Sequence, residues 1–189
     1  MNEFFESIKK RDPAAKSIIS IILTYPGVKA IFFHKLSHNL WKAKIYLIAR
    51  TISQLSRFLT GIEIHPAANI GKNLFIDHGM GVVIGETSEI GNNVTLYHGV
   101  TLGGISPAED SSKQINQKRH PTINNDVIIG SGAQILGPII VGYGARIGAN
   151  AVVTKDVPEN ATMVGIPAKN INKDNIKDKK FRPYGVKTN

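Results

Sequence analysis

The chain contains no cysteine among its 189 residues, which excludes disulfides, thiol catalysis and cysteine metal sites. It also contains no long hydrophobic run, since the apolar stretch near residues 18–23 is too short to span a bilayer. The opening segment MNEFFESIKKRDP carries acidic residues before any apolar run and has no signal-peptide pattern. We therefore expect a cytoplasmic protein with no membrane partner.

The charge of the chain is unbalanced, with a formal net charge of +9 at pH 7. Such an excess can indicate nucleic-acid binding, but no recognition motif and no platform of aromatic and basic residues accompanies it. Anionic small molecules or a solvated basic tail account for the charge equally well. We expect no nucleic-acid partner.

Branched aliphatic residues recur at every sixth position over most of the chain. They form one run that shifts phase by two residues and a second run after a gap: Ile64, Ile70, Ile76 and Val82, then Ile84, Ile90, Leu96 and Leu102, then Ile123, Ile129, Ile135, Val141, Ile147 and Val153. A period of six fits neither a helix nor a simple strand and indicates a repeat architecture. The alternative, a sandwich of short strands, is disfavoured by so regular a period.

The residues between the aliphatic positions define the kind of repeat. A second, mostly small or apolar residue stands four places after each aliphatic, and glycine, asparagine or aspartate fills many positions between. These residue types tolerate tight turns. The pattern predicts mainly β structure, in which three short strands form a triangular coil and successive coils stack at about 4.8 Å.

The chain divides into three parts by composition. Residues 1–60 form an N-terminal helical cap, because apolar positions there recur at helical spacing and Pro26 with Gly27 breaks an earlier helix. Residues 61–170 form the β-helix, interrupted by a protruding loop at 103–122. Residues 171–189 form a basic, flexible tail that lacks the repeat.

Candidate functional residues stand where the repeat is violated, since repeat positions serve packing. Asp77 occupies the slot after Ile76 that often holds glycine, and His78 comes next. Glu86 follows the shift in phase, and the loop at 103–122 ends in Arg119 and His120. A long loop within a compact repeat is more often functional than accidental. Taken singly, each residue also has a simpler explanation as a surface histidine, a turn-closing carboxylate or a solvated loop charge.

Two further observations concern histidines. Glu63 lies fifteen residues before His78, slightly less than one coil, so its carboxylate can approach that imidazole from the adjacent coil. His98 is equally explained as a packed or edge-facing residue. His34 and His38 are at helical spacing but lack the companions of a zinc motif, and no metal is expected.

Longer strings in the sequence narrow these possibilities. The segments EIHPAANIGKNLFIDHGMGVVIGETSEIGNNVTLYHGVTLGG, KRHPTI, IIGSGAQILGPIIVGYGARIGANAVVTKDVP and MVGIPAK closely resemble bacterial serine O-acetyltransferases of the hexapeptide-repeat acyltransferase family. The resemblance covers about residues 10–170. It implies a left-handed parallel β-helix and the transfer of acetyl from acetyl-CoA to the L-serine hydroxyl, which gives O-acetyl-L-serine and CoA in cysteine biosynthesis.

The resemblance also implies roles for single residues. His78 matches the catalytic base, and Glu63 stands where the family has an acid, usually aspartate, that orients the base. Asp12, Asp77, Arg119 and His120 match residues that hold the amino acid. The acetyl-CoA contacts are expected on the later coils and in the loop, at Gly103, Gly104, Gly130, Ser131, Arg146 and Ala149. His98 is not assigned a catalytic role, because family members vary at this position.

The chemistry of the reaction fits these residue types. An alcohol is a poor nucleophile at neutral pH, so a base such as imidazole must take its proton during attack on the thioester. A carboxylate on the other ring nitrogen would fix the tautomer, as in a serine-protease triad. No acyl-enzyme is required, and direct transfer in a ternary complex is expected.

The resemblance further implies a homotrimer with each active site between two β-helices. Relatives with long helical domains stack two trimers into a hexamer, and the shorter cap of this chain favours the trimer. The family also docks a C-terminal isoleucine into O-acetylserine sulfhydrylase. This chain ends in Asn189, which does not favour that complex.

Two other functions remain open from the sequence. A hexapeptide O-acetyltransferase acting on a sugar or antibiotic hydroxyl would share the repeat, but it would not need acidic and basic groups arranged around a zwitterion. A non-enzymatic β-helical scaffold would leave the DH, GET and RH departures unexplained.

Overall fold

The computed structural model describes residues 2–104 and 111–172. An N-terminal helical region precedes a stack of short strands. The four helices are α1 (Asn2–Arg11), α2 (Ile18–Thr24), α3 (Pro26–Lys42) and α4 (Tyr46–Thr60). Residues 173–189, which include most of the expected tail, and residues 105–110 of the expected loop lie outside the described residues.

Local sequence sets the helix boundaries. The Ser17 hydroxyl caps α2 by accepting the Ser20 N–H, and Pro26 occupies the first turn of α3, where no N–H is needed. Gly61 ends α4 in the left-handed conformation. Within the described residues no single helix is long and apolar enough to cross a membrane; α2 and α3 satisfy the length and composition criteria only as a pair that bends by 72°.

The strands form three sheets, which make the three sides of a prism. The first sheet contains β1 (Glu63–Ile64), β4 (Val83–Ile84), β7 (Thr101–Gly103), β10 (Gln134–Leu136) and β13 (Val152–Val153). The second contains β2 (Asn69–Ile70), β5 (Glu89–Ile90), β8 (Thr122–Ile123) and β11 (Ile140–Val141). The third contains β3 (Phe75–Ile76), β6 (Thr95–Leu96), β9 (Ile128–Ile129), β12 (Arg146–Ile147), β14 (Thr162–Val164) and β15 (Lys169–Asn170).

Neighbouring strands from successive coils pair in parallel, and β15 alone among the described strands pairs antiparallel. The register follows the sequence repeat: Val83 pairs with Thr101, one eighteen-residue coil later. The shift in phase lengthens the first coil, so that Glu63 pairs with Val83. The parallel β-helix predicted from the sixfold period is confirmed.

The prism interior is filled by the repeated aliphatic residues, which are buried at nearly every position. The prediction is wrong for Met80, the residue four places after Ile76, because its side chain is 68% exposed. The cause is the corner at residues 78–81, where His78, Gly79 and Gly81 all have positive φ. The two extra residues there push Met80 outward, and Val82 resumes the core.

Three corners connect the three sheets. The histidine corner joins the third sheet to the first and comprises residues 77–81, 97–99, 130–132 and 148–150. The arginine corner joins the first sheet to the second and comprises residues 65–68, 85–88, 103–104 and 111–121. The asparagine corner joins the second to the third, where Asn73, Asn93 and Asp126 adopt positive φ and link successive coils by side-chain hydrogen bonds.

Candidate active site

His78 stands on the first coil of the histidine corner. Its backbone has φ +58° and its side chain is 75% exposed. The Nε2 atom lies 3.9 Å from Oδ2 of Asp77, beyond hydrogen-bond distance. The turn that follows Ile76 therefore projects an accessible imidazole from the prism, as a general base requires.

The helical cap brings an acidic residue to the same corner. Asp12, just after α1, accepts a 2.5 Å hydrogen bond from the Tyr25 hydroxyl. That bond, followed by burial and by the charges of Asp12 and Asp77, raises the pKa of Tyr25 to about 12. The carboxylates of Asp12 and Asp77 therefore both act on the Tyr25 hydroxyl, and Asp77 directly precedes His78 in the chain. Tyr25 is not predictable from the sequence pattern, because its contact with Asp12 depends on the packing of the cap.

Arg11 anchors the segment that carries Asp12. Its guanidinium, over the Phe75 ring at 5.2 Å, donates to Asn73 O at 2.7 Å, Val94 O at 3.1 Å and Thr95 Oγ1 at 3.1 Å. It also bonds Ser7 through the backbone carbonyl and the hydroxyl, at 3.0 Å each. Burial lowers the pKa of Arg11 to about 10, and the group remains charged at neutral pH.

Glu63, the predicted orienting acid, lies in β1. Within the described part of the chain its carboxylate makes one ion pair, with Arg57 at 3.3 Å, and no hydrogen bond to His78. The pairing of Glu63 with His78 stays a prediction.

His98, to which the family resemblance assigns no catalytic role, is a neighbour of His78. The two rings meet edge to face, with centroids 5.9 Å apart. The repeat carried a signal for this contact, because His98 follows Leu96 as His78 follows Ile76, two places after the core aliphatic. Equivalent positions on successive coils lie one above the other.

Three of the expected acetyl-CoA contacts lie on later coils of the histidine corner. Gly130 and Ser131 follow β9, and Ala149 follows β12; Arg146 lies within β12. Within the described residues, the backbone N–H groups of Ser131 and Ala149 have no acceptor. Two donors on the same corner as His78 are thus available to an acyl or amide oxygen.

The arginine corner holds the other predicted amino-acid contacts. Arg119 donates to Oε2 of Glu86 at 2.6 Å, and this hydrogen bond holds the pKa of Glu86 below its usual value. Lys118 donates to the carbonyl of Thr87 at 2.6 Å. The end of the loop is therefore fastened to the GET segment, which explains why that segment departs from the repeat.

His120 is 7% exposed and contacts the same segment. Its Nδ1 lies 2.9 Å from the Thr87 hydroxyl and 3.1 Å from the Thr87 N–H. Burial, followed by the charge of Arg119, lowers the pKa of His120 to about 4. A Cβ at position 85 would overlap the His120 ring, so glycine is needed there. His65 lies near this group, and burial followed by the charge of Arg50 lowers its pKa to about 4.

Gly103 and Gly104 also belong to the arginine corner, at the start of the loop. The predicted site residues of one chain therefore fall into two groups on opposite edges of the first sheet. His78, Asp77 and Asp12, with Gly130, Ser131, Arg146 and Ala149 on the later coils, are on the histidine side. Arg119, His120, Gly103 and Gly104 are on the arginine side. The described residues contain no cluster of three or more histidine, aspartate or glutamate side chains with the geometry of a metal site.

Comparison with known proteins agrees with this architecture. The family model described as bacterial transferase hexapeptide (six repeats) matches residues 120–155. A serine acetyltransferase of Bacillus pumilus is 54% identical over 169 residues, which cover 89% of this chain and 75% of that protein. A serine acetyltransferase of Helicobacter pylori is 55% identical over 89% of this chain and 95% of its own length.

A solved structure of a serine acetyltransferase also matches this chain. The crystal structure of Neisseria gonorrhoeae serine acetyltransferase in complex with serine superposes with a TM-score of 0.82 and 39% identity. The match covers 89% of this chain and 66% of that one, so this chain spans about two thirds of the length of that relative.

Proposed function

The chain belongs to the serine acetyltransferase family, whose members are acetyl-CoA-dependent acyltransferases, and we propose that each active site forms between the histidine corner of one copy and the arginine corner of a neighbour. The reaction transfers acetyl from acetyl-CoA to the hydroxyl of L-serine and gives O-acetyl-L-serine and CoA. The observation that carries the proposal is the division of acidic and basic groups between two corners of one chain.

The charges on the two corners complement a zwitterionic amino acid. Asp77 and Asp12 on the histidine corner suit the ammonium group of serine. Arg119 and His120 on the arginine corner suit its carboxylate. Serine bound in this way would bridge two copies, with its hydroxyl directed to His78. A sugar hydroxyl offers neither charge, so this arrangement favours an amino-acid acceptor.

His78 is the proposed general base. Its imidazole takes the hydroxyl proton of serine as the oxygen attacks the thioester carbonyl, and returns that proton to the departing CoA thiolate. The acetyl group passes directly from sulfur to oxygen. An acid beside the ring, Glu63 in this proposal, would steady the imidazolium formed between the two proton transfers.

The later coils of the histidine corner suit the acetyl-CoA side of the reaction. The N–H groups of Ser131 and Ala149, which have no acceptor among the described residues, can donate to the thioester oxygen or to the amide carbonyls of the CoA arm. A donor aimed at a developing oxyanion typically contributes about 3 kcal/mol to catalysis. Gly103 and Gly104 would line the opposite wall from the neighbouring copy.

Two surfaces support assembly as a homotrimer. On the coils that follow Glu63, the outward side chains of the first sheet are uncharged and half-buried, at Val83, Thr101, Gln134 and Val152. The helical region exposes large apolar side chains, including Leu47 at 81% and Phe58 at 86%. Contiguous exposed apolar surface commonly marks protein contacts.

An acceptor assay tests the proposed function. CoA release is followed with the purified full chain and acetyl-CoA, together with L-serine, a sugar acceptor, or no acceptor. We expect release above background only with L-serine, and no acetyl-enzyme when the acceptor is left out. Release with the sugar alone, or a trappable acetyl-enzyme, would contradict the proposal.

A further inference from the structure

Thr87 makes an unusual number of hydrogen bonds to the end of the loop. Its hydroxyl oxygen accepts the backbone N–H groups of Arg119 and His120, both at 3.0 Å. The same hydroxyl lies 2.9 Å from Nδ1 of His120, and the Thr87 backbone N–H points at that nitrogen from 3.1 Å. One threonine therefore touches both residues that face the amino-acid carboxylate.

The hydrogens of this cluster can be assigned by counting. A threonine hydroxyl has one hydrogen and two lone pairs. Both lone pairs are engaged by the N–H groups of Arg119 and His120, so the hydroxyl hydrogen is directed to Nδ1 of His120. The Thr87 N–H also donates to Nδ1, which must therefore present a lone pair. In a neutral imidazole the proton then resides on Nε2.

We propose that Thr87 is a positioning residue that fixes His120 as the Nε2–H tautomer, so that this ring serves as a neutral donor to the substrate carboxylate. The inference rests on the proposed function, in which Arg119 and His120 hold that carboxylate. Asp77 and His78 are not part of this hydrogen-bond cluster, because they lie on the histidine corner.

The surroundings of His120 keep the ring neutral. Burial and the positive charges of Arg119 and Lys118 disfavour the imidazolium, whereas Glu86 favours it; the result is a pKa of about 4. Glu86 is itself engaged by Arg119 at 2.6 Å. The positive charge at this corner is thus supplied by Arg119 and Lys118, and His120 adds a directed hydrogen bond.

Gly85 shapes the other side of the ring. A Cβ at this position would meet Cδ2 and Nε2 of His120, so glycine leaves the Nε2 edge uncovered by a side chain. Thr87 and Gly85 therefore act on opposite edges of one imidazole, the first by holding Nδ1 and the second by leaving space at Nε2.

The tautomer is measured directly by NMR on the full-length protein labelled with 15N-histidine, with the His120 signals assigned by their loss in His120→Ala. We expect an unprotonated Nδ1 and a protonated Nε2 near neutral pH. A protonated Nδ1 would overturn the inference. This measurement needs no substrate, so its result is separate from the outcome of the acceptor assay.

The kinetic test compares Thr87→Val with Thr87→Ser. Valine keeps the shape but removes the hydroxyl, which leaves the N–H groups of Arg119 and His120 without their acceptor and leaves Nδ1 with the backbone N–H of residue 87 alone. Loss of such buried hydrogen bonds corresponds to about a ten- to hundred-fold rise in the serine KM. We expect the acetyl-CoA KM to stay within about twofold, and serine at position 87 to restore most of the affinity.

Thr51→Val serves as the matched control, because Thr51 is exposed on α4 and its hydroxyl bonds only Leu47 O among the described residues. Its KM values for serine and acetyl-CoA should equal those of the unmodified protein. An unaltered serine KM in Thr87→Val, or equal rises for both substrates, would overturn the positioning role. If Thr87→Val does not assemble, the tautomer measured in the unchanged protein still decides the proposal.

Discussion

At the scale of single residues, His78 adopts a left-handed backbone conformation, with φ +58°, that is uncommon for any residue other than glycine. Such conformations cost about 1–2 kcal/mol and often occur at functional sites. Glycine would adopt this conformation without the steric cost, and its neighbours Gly79 and Gly81 do so. The presence of histidine rather than glycine at position 78, despite this steric cost, agrees with a catalytic role for the imidazole.

This strain leads to a prediction for His78→Gly. Removal of the base should lower kcat by about 10²–10⁴-fold, whereas relief of the strained backbone should leave the free energy of unfolding unchanged or higher. Steady-state kinetics and chemical denaturation measure the two quantities. Normal turnover would remove His78 from the mechanism, and a large loss of stability would show that the residue serves the fold.

A second residue-scale prediction concerns Gly85→Ala. The added methyl overlaps the His120 ring, and overpacking of this kind typically costs about 1–3 kcal/mol. We expect a lower melting temperature and a higher serine KM. The control is the double variant with His120→Ala, in which alanine at position 85 should have little additional effect. Equal effects in both backgrounds would show that the methyl acts elsewhere.

The sequence indicated the site residues unequally. His78, Asp77, Arg119 and the GET segment are candidates because each interrupts a regular repeat, and their roles stay predictions. Tyr25 and Thr87 were not evident, because their roles consist of contacts between segments far apart in the chain. Sequence spacing suggested the approach of Glu63 to His78, but within one chain the carboxylate pairs with Arg57 at 3.3 Å.

At the scale of elements, α1 acts as a support for Asp12. The Arg11 guanidinium joins α1 to two coils of the third sheet, through Asn73, Val94 and Thr95. Lysine carries the same charge but lacks the planar fork that makes several hydrogen bonds at once. The geometry of Asp12 therefore depends on arginine at the preceding position.

We predict that Arg11→Lys raises the serine KM by about tenfold or more, since hydrogen bonds to charged groups contribute about 1.5–3 kcal/mol. The acetyl-CoA KM should change little, because its expected contacts lie on later coils and on the arginine corner. Lys10→Ala, an exposed neighbour on α1, is the control. Parallel rises in both KM values would contradict a specific effect on the serine site.

The helical cap was predicted less well than the β-helix. Apolar residues at helical spacing predicted helices in residues 1–60, and the structure contains four helices there. The side of α4 buried within the chain carries small and polar residues, at Ala49, Ser53, Ser56 and Thr60, and Leu55 and Leu59 are about half exposed. Periodicity reveals an apolar face but not what covers it, whereas in the β-helix every inward position faces the same interior.

At the scale of the whole molecule, three histidines link stability to pH. Burial is the largest cause that lowers the pKa of His34, His65 and His120 to about 4 each, below the unfolded value near 6.5. Between these values the unfolded chain binds more protons than the folded chain, so the folded state loses stability as the pH falls through this range.

We predict that the melting temperature falls progressively from pH 7 to pH 4, with each histidine contributing at most about 1.4 kcal/mol per pH unit. His34→Asn should flatten this dependence, since His34 is 5% exposed and lies on α3, with no proposed contact to either substrate. Thermal unfolding at several pH values measures the effect. A melting temperature that is constant or rises toward pH 4 would contradict the account.

The most direct test of the central claim, that each site combines two copies, is a subunit-mixing experiment with His78→Ala and Arg119→Ala. Each variant alone should be nearly inactive, because every site lacks either the base or the carboxylate anchor. Random co-assembly in a trimer would restore about a quarter of the sites, where an intact histidine corner faces an intact arginine corner. We therefore expect the co-expressed variants to regain about a quarter of the unmodified activity. A mixture as inactive as its parents would show that His78 and Arg119 act within one chain, and would contradict the account.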